Sequence, residues 1–309
     1  MTKLVVVFLL AAGACAQART DSAPAPVSPA LQRYVADYFS PTDTLYVRET
    51  DGRLEGVLKG VAHPLRRIAS DTFALADRRL VLGAERLLIN NITLRKRVVE
   101  GGTFRIKPQR PVEELRAVAL AASPPTQPDT LLPVNLVELQ SLDAGIKYDI
   151  RYATTNNFMG AVFYSSARAL LQRPAAEAVV RAHRKLESMG YGLLIFDAYR
   201  PWYVTRMFWD ATPDSLRDFV ADPAVGSRHN RGAAVDLTLY GLATGQPVAM
   251  PSGYDEFSDR AHPNYPGGTA RQRWHRELLR MVMEGEGFTV YDVEWWHFDY
   301  QNWRRYPVR

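Results

Sequence analysis

The sequence predicts an α+β domain at residues 132–309, preceded by a small all-β domain at 31–108. Two observations support this fold class. Short runs of alternating apolar and polar residues fill the first region, which is the pattern of antiparallel strands. The second region mixes strand-length apolar runs with longer stretches of helical periodicity. With 309 residues, of which 47% are hydrophobic, the chain can form one or two ordinary globular cores.

In the all-β region, alternation at 44–49 leads into the tight turn Asp51-Gly52 and resumes at 53–58. Further strand-like runs are predicted at 72–75, 79–82, 86–89, 93–98 and 103–106. Together they indicate a meander of short strands that forms a small barrel or a curled sheet. Its Asp, Glu and Arg residues are spread without a cluster, so we expect an accessory domain rather than a catalytic one.

In the C-terminal region we expect helices and strands to be mixed along the chain. Helices are predicted at 173–189, 201–209 and 271–284, and strands at 192–197, 233–239 and 290–300. The first of these helices has Pro174 in its first turn and Gly190 directly after its last residue. Proline is common at the start of a helix and glycine just past its end. A flexible linker is predicted at 19–30 and a second linker at 109–131.

The first 18 residues predict export. A positive start at Lys3 is followed by a short apolar run at 4–12 and by the small-x-small cleavage site Ala16-Gln17-Ala18. That run is too short to span a bilayer, and no later run is long enough either. Two outcomes stay open, soluble export or lipid attachment at Cys15, the only cysteine. In both cases we expect a periplasmic or secreted protein without a disulfide.

The charge pattern argues against nucleic acid as a partner. The net charge is +5, but the basic residues are scattered instead of being grouped in runs. A dispersed excess of this size is typical of a solvated surface. The oligomeric state stays open.

Two short motifs in the C-terminal region contain residues suited to metal chemistry. They are SRHNRGAAVD at 227–236 and EWWH at 294–297. Their His229, Asp236 and His297 form a natural ligand set for zinc with one coordination position left open. Glu294 is expected to act as a general base on water at that position, because a fourth protein ligand would leave no room for the water. A plain hydrogen bond between His229 and Asp236 is the structural alternative.

The spacing of the second motif raises a geometric question. Residues three apart on a regular strand point to opposite faces, so Glu294 must precede the strand or occupy a bulge if it is to join His297. Trp295 and Trp296 are expected to shield the carboxylate from water or to pack in the core. Among the other histidines, His262 lies in a predicted loop and its role stays open.

The two motifs resemble the signature of the D-alanyl-D-alanine dipeptidases, the family of the vancomycin-resistance dipeptidase. Three further segments match this family in order, YDIRYATTNNF at 148–158, DAYRP at 197–201 and YDEFSDRAH at 254–262. The resemblance covers about residues 134–300 and implies the fold that zinc D,D-peptidases share with the hedgehog signalling domain. The N-terminal β region resembles the lipocalin-like modules that accompany secreted hydrolases and peptidases.

The resemblance also implies a role for each matching residue. His229, Asp236 and His297 would bind one zinc ion, and Glu294 would transfer a proton from water to the leaving amine. Arg200 would stabilise the oxyanion, unless Asp197 holds it for a purely structural purpose. The implied substrate-binding residues are Asp255 and Ser227 for the ammonium group, and Asn156, Asn157 and Phe158 around the D-alanyl methyl groups.

The implied activity is hydrolysis of D-Ala-D-Ala and similar D,D-dipeptides in peptidoglycan-related metabolism. A D,D-carboxypeptidase that trims stem peptides and a non-catalytic wall-binding or zinc-storing module are the alternatives. Asp255 argues against the first, while Glu294 and Arg200 argue against the second. The export signal and the β region are departures from the resistance-type enzymes, so we expect the substrate to be met outside the cytoplasm.

Overall fold

The computed structural model describes residues 22–90, 92–97 and 105–309. The predicted export segment at 1–18, with Cys15, lies outside these residues. The described residues divide into two compact units, one formed by those up to Arg97 with Pro266–Leu278, and one by 105–265 with Leu279–Arg309. Within the described ranges, no helix is both long and apolar enough to cross a membrane.

The first unit is a closed barrel of eight antiparallel strands, in which each strand pairs with the next and the first closes on the eighth. The helix and strands are α1 (Pro29–Gln32), β1 (Ala36–Phe39), β2 (Thr44–Thr50), β3 (Arg53–Leu58), β4 (Val61–Ala69), β5 (Thr72–Leu75), β6 (Arg78–Leu82), β7 (Arg86–Ile89) and β8 (Ile92–Lys96). The prediction of an all-β module is confirmed. Alternate residues of β2, among them Leu45 and Val47, point into a core of aliphatic and aromatic side chains.

Three details of this unit differ from the sequence prediction. Strands β1 and β4 were not predicted, and β4 contains Pro64 and exposes most of its residues, so no alternation marks it. Of the predicted strand at 103–106, the structure describes Arg105 and Ile106. Neither residue lies in a strand. The segment Pro266–Leu278, which the sequence assigned to the C-terminal domain, belongs to the barrel unit.

The buried carboxylate of Glu49 explains why that segment joins the barrel. It accepts a hydrogen bond from the backbone amide of Ala270 at 3.0 Å, while Arg273 donates to the carbonyl oxygen of Glu49 at 2.9 Å. A buried carboxylate is stable only with such partners. Nothing in the local sequence around Glu49 identifies partners that lie so far along the chain.

The second unit is built on a five-stranded mixed sheet with the order β10-β12-β13-β15-β14, in which only β10 and β12 are parallel. Its strands are β9 (Leu136–Glu138), β10 (Lys147–Tyr148), β11 (Leu170–Gln172), β12 (Tyr191–Asp197), β13 (Ala234–Gly241), β14 (Phe288–Tyr291) and β15 (Glu294–Tyr300). The helices outside the barrel are α2 (Val112–Ala121), α3 (Leu139–Leu142), α4 (Arg173–Glu187), α5 (Trp202–Ala211) and α6 (Ala270–Glu284), the last shared between the two units. Helices and strands are mixed along the chain, as the sequence predicts.

The predicted strand at 290–300 is a hairpin. Strands β14 and β15 pair antiparallel and are separated by Asp292 and Val293. The aromatic and apolar run continues through the turn, so periodicity alone does not show the reversal. This hairpin determines where Glu294 lies.

Candidate active site

The central strands of the sheet bring the predicted metal ligands together. Asp236 of β13 pairs in register with His297 of β15. His229 lies in a short 3-10 turn that ends at Gly232, directly before β13. The Nε2 atom of His229 lies 3.1 Å from Nδ1 of His297, and Oδ1 of Asp236 lies 3.3 Å and 2.9 Å from these two nitrogens. All three side chains are buried, so three donor atoms converge on one point.

The outer partners of the histidines determine which ring nitrogen of each faces the cluster. His229 Nδ1 lies 2.7 Å from the carbonyl oxygen of Ala198, and His297 Nε2 lies 3.0 Å from a carboxylate oxygen of Asp299. Because both oxygens only accept, each of these ring nitrogens carries the proton. When both rings are neutral, the inner nitrogens therefore carry lone pairs that face each other, beside an Asp236 oxygen that accepts no hydrogen bond.

Such a buried cluster of lone pairs requires a positive charge. Burial works to lower the pKa of His297, but Asp236 and Asp299 outweigh it and raise that pKa to about 10. The pKa of Asp236 lies well below its usual value, because the two histidines outweigh the effect of burial. Two imidazoles and one carboxylate, each histidine held by an outer acceptor, fit a zinc ion in type and number.

The position of Glu294 answers the geometric question that its spacing raises. It is the first residue of β15 and pairs with Tyr291 beside a register shift in β14, so the expectation of an irregular position is confirmed. Its Oε2 atom lies 3.8 Å from Nδ1 of His297. Burial raises the pKa of Glu294, although the charge of His297 opposes this. The side chain still keeps 26% of its surface exposed, which leaves the carboxylate accessible.

A cavity of about 340 Å³ opens beside these residues. It is lined by all the residues to which the sequence assigns a site role, except Asn156 and Asn157. Trp296 lines it too, whereas the indole of Trp295 donates to the hydroxyl of Ser252 at 2.7 Å. His262, whose role was left open, is an exposed residue of the lining.

Arg200 is a fixed cation of the cavity wall. Its Nε and Nη2 atoms donate to one oxygen of Asp197 at 3.0 Å and 2.8 Å. The guanidinium carbon lies 5.1 Å from the ring centroids of both Tyr152 and Phe208. Asp197 therefore holds the side chain in place, and the guanidinium lines the cavity, a position compatible with either explanation of Arg200.

Asp255 is a buried carboxylate that lines the same cavity. Burial raises its pKa well above the usual range, and the charges of Asp236 and Glu294 add to the effect. The hydroxyl of Tyr152 donates to it at 3.0 Å, and Tyr254 donates to Asp236 at 2.8 Å. The sequence alone indicates no role for these tyrosines, because an aromatic residue beside apolar ones resembles ordinary core.

The remaining predicted substrate residues differ in their positions. Ser227 lines the cavity, and its Oγ atom accepts a hydrogen bond from the amide of His229 at 3.2 Å. The structure does not bring Asn157 to the cavity, because its fully buried side-chain amide nitrogen donates to three backbone carbonyl groups within 3.1 Å. Asn157 shapes the loop that presents Phe158, and Phe158 does line the cavity.

Residues 133–307 match the protein-family model described as D-ala-D-ala dipeptidase. The chain belongs to this family. It is 36% identical to the D-alanyl-D-alanine dipeptidase of Escherichia coli over 173 residues, which are 56% of this chain and 88% of that relative. It is 32% identical to the enzyme of the same name from Enterococcus faecium over 185 residues, 54% of this chain and 92% of the relative. The corresponding Streptomyces coelicolor protein is 34% identical over 178 residues, with 52% and 88% covered. The chain is therefore a peptidase, and its barrel lies outside the matched segment.

Asp299 is expected to tune metal binding by this peptidase-family chain, because it holds the outer nitrogen of His297. The substitution Asp299→Ala should weaken zinc affinity by about 10–100-fold, since the imidazole loses its orientation and part of its basicity. Competition against a chromophoric chelator measures this affinity. Asp299→Asn, which keeps an acceptor oxygen, should give a smaller loss. Unchanged affinity in both variants would contradict this role.

Gly232 ends the turn that presents His229, in a backbone conformation that strains any residue with a side chain. Its φ is +64°, and a Cβ atom would lie 2.4 Å from Cδ2 of Leu136. Gly232→Ala is therefore expected to lower the free energy of unfolding by about 2 kcal/mol, through backbone strain and overpacking. Urea unfolding measures the effect, with Gly253→Ala as the control, because a Cβ there meets nothing within 4 Å. Equal stability of the two variants would show that the turn adapts.

Proposed function

We propose that this peptidase hydrolyses D-alanyl-D-alanine and similar D,D-dipeptides at a zinc site formed by His229, Asp236 and His297. The observation that supports this most strongly is the convergence of three buried ligand atoms on a cavity that Asp255 also lines. When bound, zinc would supply Lewis-acid activation of the attacking water and of the scissile carbonyl. The names of the relatives support the substrate class.

Glu294 and Arg200 have different tasks in this proposal. Glu294 accepts a proton from the attacking water and then delivers it to the leaving amine, for which a raised pKa is suited. Arg200, held in place by Asp197, directs a permanent positive charge at the carbonyl oxygen as negative charge develops there. Because the guanidinium is already fixed, no reorganisation is needed at the moment of reaction.

Asp255 determines the length of the substrate in this proposal. Its carboxylate is buried and has no cationic partner among the described residues, so a substrate ammonium group supplies the missing charge. An acylated amine or a longer chain places an uncharged amide at this position. The site therefore favours free dipeptides over stem peptides.

We also propose that the enzyme works outside the cytoplasm, either soluble or attached to lipid through Cys15. The signal-like residues 1–18 support this location. An exported dipeptidase would act on D,D-dipeptides released by wall turnover or taken up as nutrients. The mixed sheet supports the hedgehog-like fold that the resemblance implies.

Alanine release by the zinc-loaded mature protein tests the proposed function. The substrates are D-Ala-D-Ala, L-Ala-L-Ala, N-acetyl-D-Ala-D-Ala and a stem pentapeptide. We expect cleavage of free D-Ala-D-Ala alone. Cleavage of the acetylated dipeptide or the pentapeptide would indicate a D,D-carboxypeptidase, while zinc binding without any cleavage would indicate a non-catalytic module.

A further inference from the structure

Arg228, the residue between Ser227 and His229 in the first motif, lines the cavity but has no role in the chemistry above. Its side chain keeps 34% of its surface exposed. The Nε atom lies 2.8 Å from Oδ2 of Asp299, the carboxylate that also binds His297. A cation is therefore fixed at the cavity wall, close to the metal ligands.

Aromatic rings restrict the movement of this side chain. The guanidinium carbon of Arg228 lies 4.8 Å from the ring centroid of Tyr291 and 5.2 Å from that of Trp303. No residue in the described part of the chain accepts a hydrogen bond from its Nη1 or Nη2 atoms. A planar guanidinium that is stacked and anchored at one end keeps two donor nitrogens for a ligand.

The surroundings of Trp303 carry an excess of positive charge. The guanidinium carbons of Arg231 and Arg304 lie 5.7 Å and 4.1 Å from its ring centroid. Burial, together with the charge of Arg304, lowers the pKa of Arg231. Asp299 is the one carboxylate paired with Arg228 among the residues that the structure describes. Of this basic group, Arg228 lines the cavity, so the part of the cavity beside Arg228 is suited to an anion.

We propose that Arg228 binds the C-terminal carboxylate of the dipeptide. The inference rests on the proposed function, in which the substrate is a zwitterion and Asp255 takes its ammonium group. The carboxylate then needs a cation of its own. Arg200 has committed Nε and Nη2 to Asp197, whereas both terminal nitrogens of Arg228 are available for a two-point contact with a carboxylate.

Equilibrium binding in a Glu294→Gln background tests this role without relying on turnover. Calorimetry compares D-Ala-D-Ala with its C-terminal amide, D-Ala-D-alaninamide, on the zinc-loaded protein. We expect the free acid to bind at least about 30-fold more tightly, because the amide leaves the guanidinium without its anion. Adding Arg228→Gln should bring this ratio close to one, chiefly by weakening the binding of the acid. Arg304→Gln, the matched control, should keep most of the preference.

A merely structural role of Arg228, acting through Asp299 on His297, makes a different prediction. In that case Arg228→Gln lowers zinc affinity and weakens acid and amide equally, so the ratio stays as it was, and the proposal is overturned. Arg228→Lys, which keeps the charge but loses the planar fork, should restore part of the preference for the acid. Hydrolysis by the wild-type protein is measured separately. A missing activity therefore counts against the proposed function, and an unchanged binding ratio counts against the role of Arg228.

Discussion

Replacing Glu294 by glutamine is expected to lower kcat for D-Ala-D-Ala by about 10³-fold, while zinc stays bound at one ion per chain. Glutamine has the same shape but cannot accept a proton from the attacking water. The metal should remain, because the donor atoms that converge belong to His229, Asp236 and His297. Steady-state kinetics and metal analysis of the same preparation measure the two quantities.

Glu256→Gln is the matched control for this prediction. Glu256 also lines the cavity, but its carboxylate accepts hydrogen bonds from the hydroxyl of Ser258 at 2.7 Å and the amide of Gly253 at 3.1 Å. A carboxylate engaged in holding a loop is a poor general base, so we expect kcat to change only a few-fold. An equal loss in both variants, or a loss of zinc from Glu294→Gln, would show that Glu294 is not the base.

The motifs were enough to predict the three candidate ligands, because two histidines and one aspartate are residue types that zinc prefers. His229 and Asp236 are joined by a tight turn, so their proximity is a local property. The approach of His297 depends instead on the pairing of β13 with β15, which no local pattern reveals. The sequence does not reveal Asp299 and the carbonyl oxygen of Ala198 as partners of the histidines for the same reason. Their role becomes visible only when the fold places them beside the histidine nitrogens that they orient.

The barrel shows a similar limit of sequence reasoning. Alternation predicted most of its strands, but closure requires β1 to pair with β8, two strands far apart in the chain. A curled sheet and a barrel share the same alternation, so only this pairing distinguishes them. Asn157 illustrates the opposite error, because an amide that satisfies backbone carbonyls looks in the sequence like an amide that binds a ligand.

Irregular strand geometry places two carboxylates of the site, Asp197 and Glu294. Asp197 lies after a register shift at the end of β12, opposite Asp236, and Glu294 begins β15 beside another shift. Regular strands would send alternate side chains to opposite faces. The shifts instead let Asp197 hold Arg200 and let Glu294 join His297. Bulges at an active site re-aim side chains in this way.

Replacing Asp255 by asparagine is expected to change binding and stability in opposite directions. Loss of the ammonium partner should lower kcat/KM for D-Ala-D-Ala by about 10²–10³-fold, because a buried charge is left without its counterpart. The free protein should become more stable at neutral pH. Burial raises the pKa of Asp255, so its charged form disfavours folding once the pH rises above the ordinary value for a carboxyl group. Asparagine removes this cost and still accepts from Tyr152.

Kinetics with two substrates and a thermal melt at two pH values measure both effects. The variant should melt at a higher temperature than the wild type at pH 7, and the difference should shrink towards pH 4, where the wild-type carboxyl group is protonated. N-acetyl-D-Ala-D-Ala, a poor substrate of the wild type, should lose little further activity, since its blocked amine never used the charge. An equal loss on both substrates would make Asp255 a structural residue of the cavity. A variant that is less stable at neutral pH would show that the carboxylate is neutralised in the free protein by a group other than the substrate.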